Sequence, residues 1–342
     1  MTVLALVESP AQLLHVLEWC HRHAAAERIR LVVLAPVDER TRVQLAAMAD
    51  YAGEENIAVE WHDPRTALSA SARVIAELRP QVADAHTLLL GDPFSGLIQA
   101  LLPRPGNQQV VVVDDGTATL EFAAQLAAGE RLRRWHGRSF GPVRAVLAER
   151  ARRFFDTARL QLFTVMAVTG LPPSRVQRHS YAWTRHRFGQ VRTRPGVDVI
   201  GSSLVETGVV RPGAYLDAVA GLAIDGSAGR YFAHRRESAE KLDRIATQTG
   251  LEIVRPSVPL EVELRRTPVA ARLASFPSSV GYTLPLVLAG SGVRISVQPI
   301  PEEMFAEGVT QRARSFLARL GDDVRTTARV AGRARVELAT LT

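Results

Sequence analysis

Residues 109–128 read "QVVVVDDGTATLEFAAQLAA". Four consecutive valines make a strand that is apolar on both faces. Such a strand belongs inside a parallel sheet covered by helices on each side. Two aspartates and a glycine end it at once, and the alanine- and leucine-rich run from Thr117 onward has helical spacing. A buried strand that turns directly into a helix is the repeating unit of a doubly wound α/β fold.

The alternation extends in both directions. Upstream, "TVLALV", "IRLVVLAP", "IAVEWH" and "HTLLLGD" read as strands. Each precedes an amphipathic segment: "AQLLHVLEWCHRHA", "RTRVQLAAMADYAG" stopping at Gly53, "TALSASARVIAELR", and "FSGLIQALL". A second set begins near residue 197, with strands "VDVIGSS", "GRYFAH", "LEIVRP" and "VRISVQPI". Helices are expected over "RPGAYLDAVAGLA", "ESAEKLDRIATQTG" and "VGYTLPLVLAGSG". "TPVAARLA" reads as a short helix, "SFPSS" as a strand end, and the tail from about residue 302 as helix. No internal repeat relates the halves. The 342 residues are therefore expected to form two Rossmann-like domains, 1–190 and 191–342, facing a central cleft, with the last helix packing back on the first domain. Residues 130–190, with "ERLRRWHGRSF" and "ERARRFFDTARLQLF", read as a basic helical segment. It is either a solvated amphipathic helix or a surface for an anionic acceptor or membrane headgroups.

Composition narrows the partners. Hydrophobic residues at 46% and charged residues at 23% exclude large-scale disorder. The net charge of +7 favours anionic partners. Lys241 is the only lysine, however, so the arginine excess reads as codon bias as much as selection for charge, and no specific nucleic-acid partner is expected. Cys20 stands alone, which rules out an intrachain disulfide and fits a reducing compartment. The first residues lack a basic region ahead of their apolar run, and "LQLFTVMAVTGLPP" is too short to span a bilayer. The expected location is cytoplasmic, in solution or at the inner membrane face.

Polar residues gather where strands end. Asp114 and Asp115 follow a wholly apolar strand; a carboxylate there can take a proton from a hydroxyl, while Asp-Gly is equally a turn pair and Thr117 a helix cap. Ser202, Ser203 and Glu206 follow "VIG", where small residues let backbone N–H groups approach a phosphate or sugar, or simply build a loop. His234 follows "YFA" and can donate a proton near neutral pH; Arg235 or Arg236 can hold a phosphate or carboxylate. Ser278 and Ser279 stand before an apolar helix, placed to cap it and to offer N–H groups to an anion. No metal cluster is evident: His21 and His23 flank Arg22 near Cys20, but alternate helix positions do not share a face.

The order of acid pair, histidine and serine pair resembles the bacterial sialyltransferases and polysialyltransferases that use CMP-sialic acid. The likeness runs through "LVESPAQLLHVLE", "LLLGDPFSG", "VVDDGTATLE", "VIGSSLVETGVV", "YFAHRRES" and "FPSSVGYTLPLVLAG". At one place the chain departs from it: Arg235 follows the histidine where the family often has proline. The resemblance implies a GT-B fold and an inverting, metal-independent transfer of sialic acid from CMP-sialic acid to a glycan hydroxyl, with no cofactor. It makes Asp115 or Asp114 the base and His234 the acid. Ser278 and Ser279 would cradle the donor phosphate, with Ser202, Ser203 and Glu206 near the nucleotide or sugar. The partners implied are a nucleotide-sugar donor and a glycan acceptor, as in polysaccharide biosynthesis.

Overall fold

The computed structural model describes residues 2–24, 29–134, 141–157, 159–224, 228–330 and 336–337. The chain divides into two compact units, Met1–Trp183 and Thr184–Thr342.

The first unit alternates β1 (Val3–Val7), α1 (Pro10–His23), β2 (Ile29–Leu34), α2 (Glu39–Glu54), β3 (Ala58–His62), α3 (Leu68–Asp84), β4 (Thr87–Leu90), α4 (Gly96–Leu101), β5 (Gln109–Val113), α5 (Ala118–Ala127), α6 (Pro142–Thr157), β6 (Arg159–Thr164) and β7 (Val176–Arg178). A further helix, α7 (Ala182–Phe188), spans the boundary. Its sheet has the order β3-β2-β1-β4-β5-β6-β7, and every pair is parallel. β1, β4 and β5 are buried along nearly their whole length, as the valine and leucine runs require.

Two expectations fail here for physical reasons. The segment 130–190 is not helical throughout: β6 and β7 extend the sheet beyond β5. "RLQLFT" was masked by the arginine-rich helix before it, yet Leu160, Leu162 and Phe163 are buried against β5. Helix α3 continues past Pro80 to Asp84 instead of stopping at Arg79. Val74, Leu78 and Val82, spaced by one turn each, are all buried and hold it on the core despite the donor that proline lacks.

The second unit contains β8 (Thr193–Ile200), α8 (Pro212–Ile224), β9 (Ala228–Phe232), α9 (Ala239–Thr249), β10 (Glu252–Val254), α10 (Leu260–Arg266), β11 (Val269–Ser275), α11 (Val280–Val287), β12 (Arg294–Val297), α12 (Gln311–Val330) and the two-residue β13 (Val336–Glu337). The strand order is β10-β9-β8-β11-β12-β13, again all parallel. The expected helix over "TPVAARLA" is instead β11, a strand flanked on both sides in the sheet. Three alanines give it a helical propensity, but Val269, Ala270, Leu273 and Ala274 are all buried; tertiary pairing overrides propensity.

Among the described residues no helix is long and apolar enough to cross a membrane.

Candidate functional site

In each unit the sheet order reverses direction beside its first strand, between β1 and β4 and between β8 and β11. In open α/β sheets the crevice for a ligand lies outside the carboxyl ends of the strands at such a switch point. The candidate residues sit at those ends.

In the first unit the acid pair is split. Asp114 is fully buried. Its Oδ1 accepts from Thr164 Oγ1 at 2.5 Å and its Oδ2 from the Val165 N–H at 2.7 Å. Burial alone would raise its pKa, but His179 and His15 nearby reverse the direction, and the net shift is downward. Asp115 points the other way. Its Oδ2 takes Arg134 Nη2 at 3.0 Å and its Oδ1 lies 3.4 Å from Ser9 Oγ. Successive residues at the end of an extended strand point to opposite faces, which sends the two carboxylates apart, and Gly116, in the left-handed region at φ 61°, then makes the turn towards α5.

Three neighbouring strand ends contribute to this crevice: Glu8 after β1, Asp92 after β4 and Asp115 after β5. Arg134 joins Asp115 to Asp92, the latter at 2.8 Å. Burial works against the charge on Arg134, but the two carboxylates outweigh it and the guanidinium is held protonated. Glu8 has Arg65 and Ser95 as partners, the serine at 2.9 Å. Burial, reinforced by the Asp92 charge and opposed by Arg65, pushes its carboxyl up to about 7. Gln12 in the first turn of α1 fixes this corner. Its Oε1 accepts the Glu8 N–H at 2.7 Å and lies where a Cβ on Gly91 would be, 2.2 Å away.

In the second unit Phe232, Ile200 and Ser275 are register partners across β9, β8 and β11. The segments just beyond them, carrying His234, Ser202–Ser203 and Ser278–Ser279, therefore emerge side by side at the carboxyl ends of three adjacent parallel strands. Adjacent strands are spaced by about 4.8 Å, so the three segments span roughly 10 Å.

His234 is half-buried. Its backbone N–H donates to Glu237 Oε2 at 2.6 Å, and its Nδ1 accepts the Arg236 N–H at 3.2 Å. A backbone N–H can only donate, so the neutral ring carries its proton on Nε2. Burial first, then Arg235, Arg236 and Lys241, lower its pKa to about 3. The ring is thus a neutral Nε2–H donor at neutral pH, and it lacks the partly protonated population that an unperturbed histidine keeps there.

Behind it lies a buried polar chain. Tyr215 OH receives the Ser202 N–H at 3.1 Å and meets Tyr231 OH at 2.8 Å. Tyr231 OH donates to Glu237 Oε1 at 2.6 Å, and Lys241 Nζ pairs with that same oxygen at 2.8 Å. Lys241 also reaches the Ser202 carbonyl at 3.0 Å and Glu206 at 3.4 Å, and sits 3.9 Å above the Tyr215 ring. Glu206 in turn accepts the Ser238 N–H at 3.3 Å, so it fastens the β8 loop to the start of α9. Ser203 lends its carbonyl to the following turn, accepting the Thr207 N–H at 2.9 Å. Ser279 occupies the N-cap of α11 but makes no side-chain capping bond, contrary to the capping role expected of it. Its backbone is helical, at φ −59° and ψ −24°, which turns the hydroxyl from the geometry a capping serine needs. Ser278 is half-buried and accepts the Gly281 N–H through its carbonyl at 3.3 Å. Arg236 is exposed; Arg235 is half-buried and lies close enough to Glu261 to counter the burial that raises that carboxyl.

Glu8 and Asp92 follow strands just as Asp114 does, so the strand-end rule would have found them. Arg134, Tyr215, Tyr231, Glu237 and Lys241 carry no such signal; only folding brings them together. The same is true of His15, Asp114 and His179, three buried metal-competent side chains grouped in the first unit, where the sequence shows no cluster.

Several solved structures share this architecture. An α/β-galactoside α-2,3-sialyltransferase of Photobacterium phosphoreum aligns over 98% of this chain and 98% of its own, at 9% identity and a TM-score of 0.52. A UDP-GlcNAc 2-epimerase of Neisseria meningitidis, bound to UDP-GlcNAc, covers 87% of this chain and 82% of its own at 11% identity and a TM-score of 0.51. The two parallel sheets are those of a GT-B glycosyltransferase fold. No family model and no curated protein matches the sequence.

Proposed function

We propose that the protein is an inverting glycosyltransferase that moves sialic acid from CMP-sialic acid to a glycan hydroxyl. The observation that carries this reading is the placement of His234, Ser202–Ser203 and Ser278–Ser279 on adjoining strand ends that flank the switch point of one sheet.

The second unit holds the donor. The hydroxyl of Ser279, left out of helix capping, and that of Ser278 bind the donor phosphate, helped by the positive end of α11. Ser202, Ser203 and Glu206 line the nucleotide or sugar, and Arg235 and Arg236 add positive charge. The first unit activates the acceptor. Asp115 removes the hydroxyl proton through Oδ1, the oxygen with only a long contact to Ser9, while Arg134 on Oδ2 holds the carboxylate in place. The acceptor oxygen bonds to the anomeric carbon as the bond from that carbon to the phosphate oxygen breaks. CMP departs with the electron pair and configuration inverts. His234 Nε2–H donates a hydrogen bond to the departing phosphate oxygen and offsets the charge that arrives there.

On the acceptor side, we place a peripheral contact with an anionic membrane surface at α6. Val143 and Val146 are exposed there, at 72% and 68%, and share a face with Arg150 and Arg153 at helical spacing.

The test is chromatography of released nucleotide after incubation with a glycan acceptor and a panel of donors. Release of CMP from CMP-sialic acid is expected. Turnover of UDP or GDP sugars alone would replace the donor assignment. Steeply salt-dependent DNA binding without affinity for CMP would overturn an enzymatic reading.

A further inference from the structure

We propose that His15, Asp114 and His179 bind a single divalent transition-metal ion of the zinc class, behind the acceptor-side crevice. The three come from α1, the end of β5 and the segment after β7, and all are buried. One ligand atom from each lies within 4.8 Å of the others. His179 Nε2 is 3.7 Å from Asp114 Oδ2, beyond a hydrogen bond. Two nitrogen or oxygen ligands around tetrahedral zinc stand roughly 3.3 Å apart, so small rotations close the set.

The independent sign is that His15 Nδ1 and His179 Nε2 are both buried without a hydrogen-bond partner. Leaving a buried polar atom unmet is costly, because the water it gave up on burial is not replaced. Two such atoms, on the two histidines grouped with a buried carboxylate, are explained together by an ion, which takes a lone pair from each.

The surroundings suit ligation. Tyr181 OH stands 3.4 Å from His15 Nε2 and can accept its N–H when Nδ1 is on the metal. Phe163 stacks on the His179 ring at 4.5 Å and fixes its plane. The Tyr181 N–H donates to His179 Nδ1 at 3.5 Å, the limit of a hydrogen bond, and ligation through Nε2 moves the ring proton to Nδ1 and gives up this one long contact. Thr164 and Val165 orient Asp114. A zinc-class ion suits two imidazoles and one carboxylate better than the oxygen-seeking calcium or magnesium. Its role would be to fasten α1, β5 and the β7 segment together.

Elemental analysis of the purified full chain after incubation with zinc and gel filtration should find about one equivalent per chain. Cobalt in its place should give visible ligand-field bands, and chelation should lower the melting temperature. His179→Gln should abolish uptake. His62→Gln should not, although Glu60, His62 and Glu77 form the second ligand-bearing group among the described residues. If His179→Gln does not fold, the cobalt spectrum and the chelator shift of the unaltered protein still decide. Background metal content with no chelator effect, or uptake lost in His62→Gln and kept in His179→Gln, would overturn the site.

Discussion

The backbone N–H of Arg236 donates to Nδ1 of His234 at 3.2 Å. That one contact selects the tautomer and leaves the ring's N–H on Nε2. It predicts that His234→Ala keeps its fold and loses turnover by at least about 10²-fold in single-turnover assays. The same residue predicts a pH effect on stability. An unfolded histidine takes up a proton near pH 6.5, whereas the folded ring resists it until about pH 3. Stability present at neutral pH is therefore lost as pH falls through that window, by up to about 1.4 kcal/mol per pH unit. Urea unfolding of the wild type and of His234→Ala between pH 7 and pH 5 should show a shallower decline for the variant.

Asp114 and Asp115 are neighbours with opposite fates. Asp115→Asn should reduce turnover by about 10²-fold or more with little change in melting temperature. Asp114→Asn should instead destabilise the fold by about 1–3 kcal/mol, because the buried Thr164 hydroxyl and Val165 N–H lose a charged acceptor. Paired kinetics and denaturation of the two variants check this.

Glu8 offers a second pH signature with the opposite sign. Its folded pKa of about 7 lies above the ordinary 4.5, so the folded chain keeps a proton that the unfolded chain releases. The stability this confers is full below pH 4.5 and lost as pH rises through 7. Glu8→Gln should flatten that part of the stability profile. Infrared titration should find a carboxyl band that disappears near neutral pH in the wild type only.

Ser279→Ala separates ligand binding from folding. A capping serine usually contributes about 1 kcal/mol, but this one makes no capping bond. The variant should melt with the wild type, while calorimetry shows weaker CMP binding.

Gly201 tests the packing behind His234. A Cβ there would stand 2.3 Å from Glu237 Oε2 and 2.7 Å from Tyr231 OH. Gly201→Ala should cost about 1–3 kcal/mol in denaturant unfolding, since both partners are held by hydrogen bonds and cannot move freely.

Much of the fold is written in local pattern. Valine and leucine runs such as 110–113 and 88–90 read as buried strands, and they place the acid pair at the carboxyl end of an interior strand. β11 is the opposite case. "VAARLAS" has helix-forming residues and no alternation, and only its neighbours on both sides make it a strand. The site divides the same way. His234, Ser202 and Ser278 are legible because a strand end is a local feature. Arg134 is not: its pairing with Asp92 and Asp115 joins residues 42 and 19 positions apart. Nor does the segment reveal that His234 would be kept neutral: Arg235 and Arg236 stand beside it in the sequence, but the largest cause is burial, which only the fold supplies.

Lys241 is the chain's only side-chain amine, and folding leaves just 11% of it accessible, beneath the Tyr215 ring and between two carboxylates. Acetylation or ubiquitination, which need a reachable lysine, thus have no ready target on the folded second unit. An acylating reagent would label this position only when α9 lifts from the β8 loop, so a mass shift there serves as a built-in clock for local opening of the second unit.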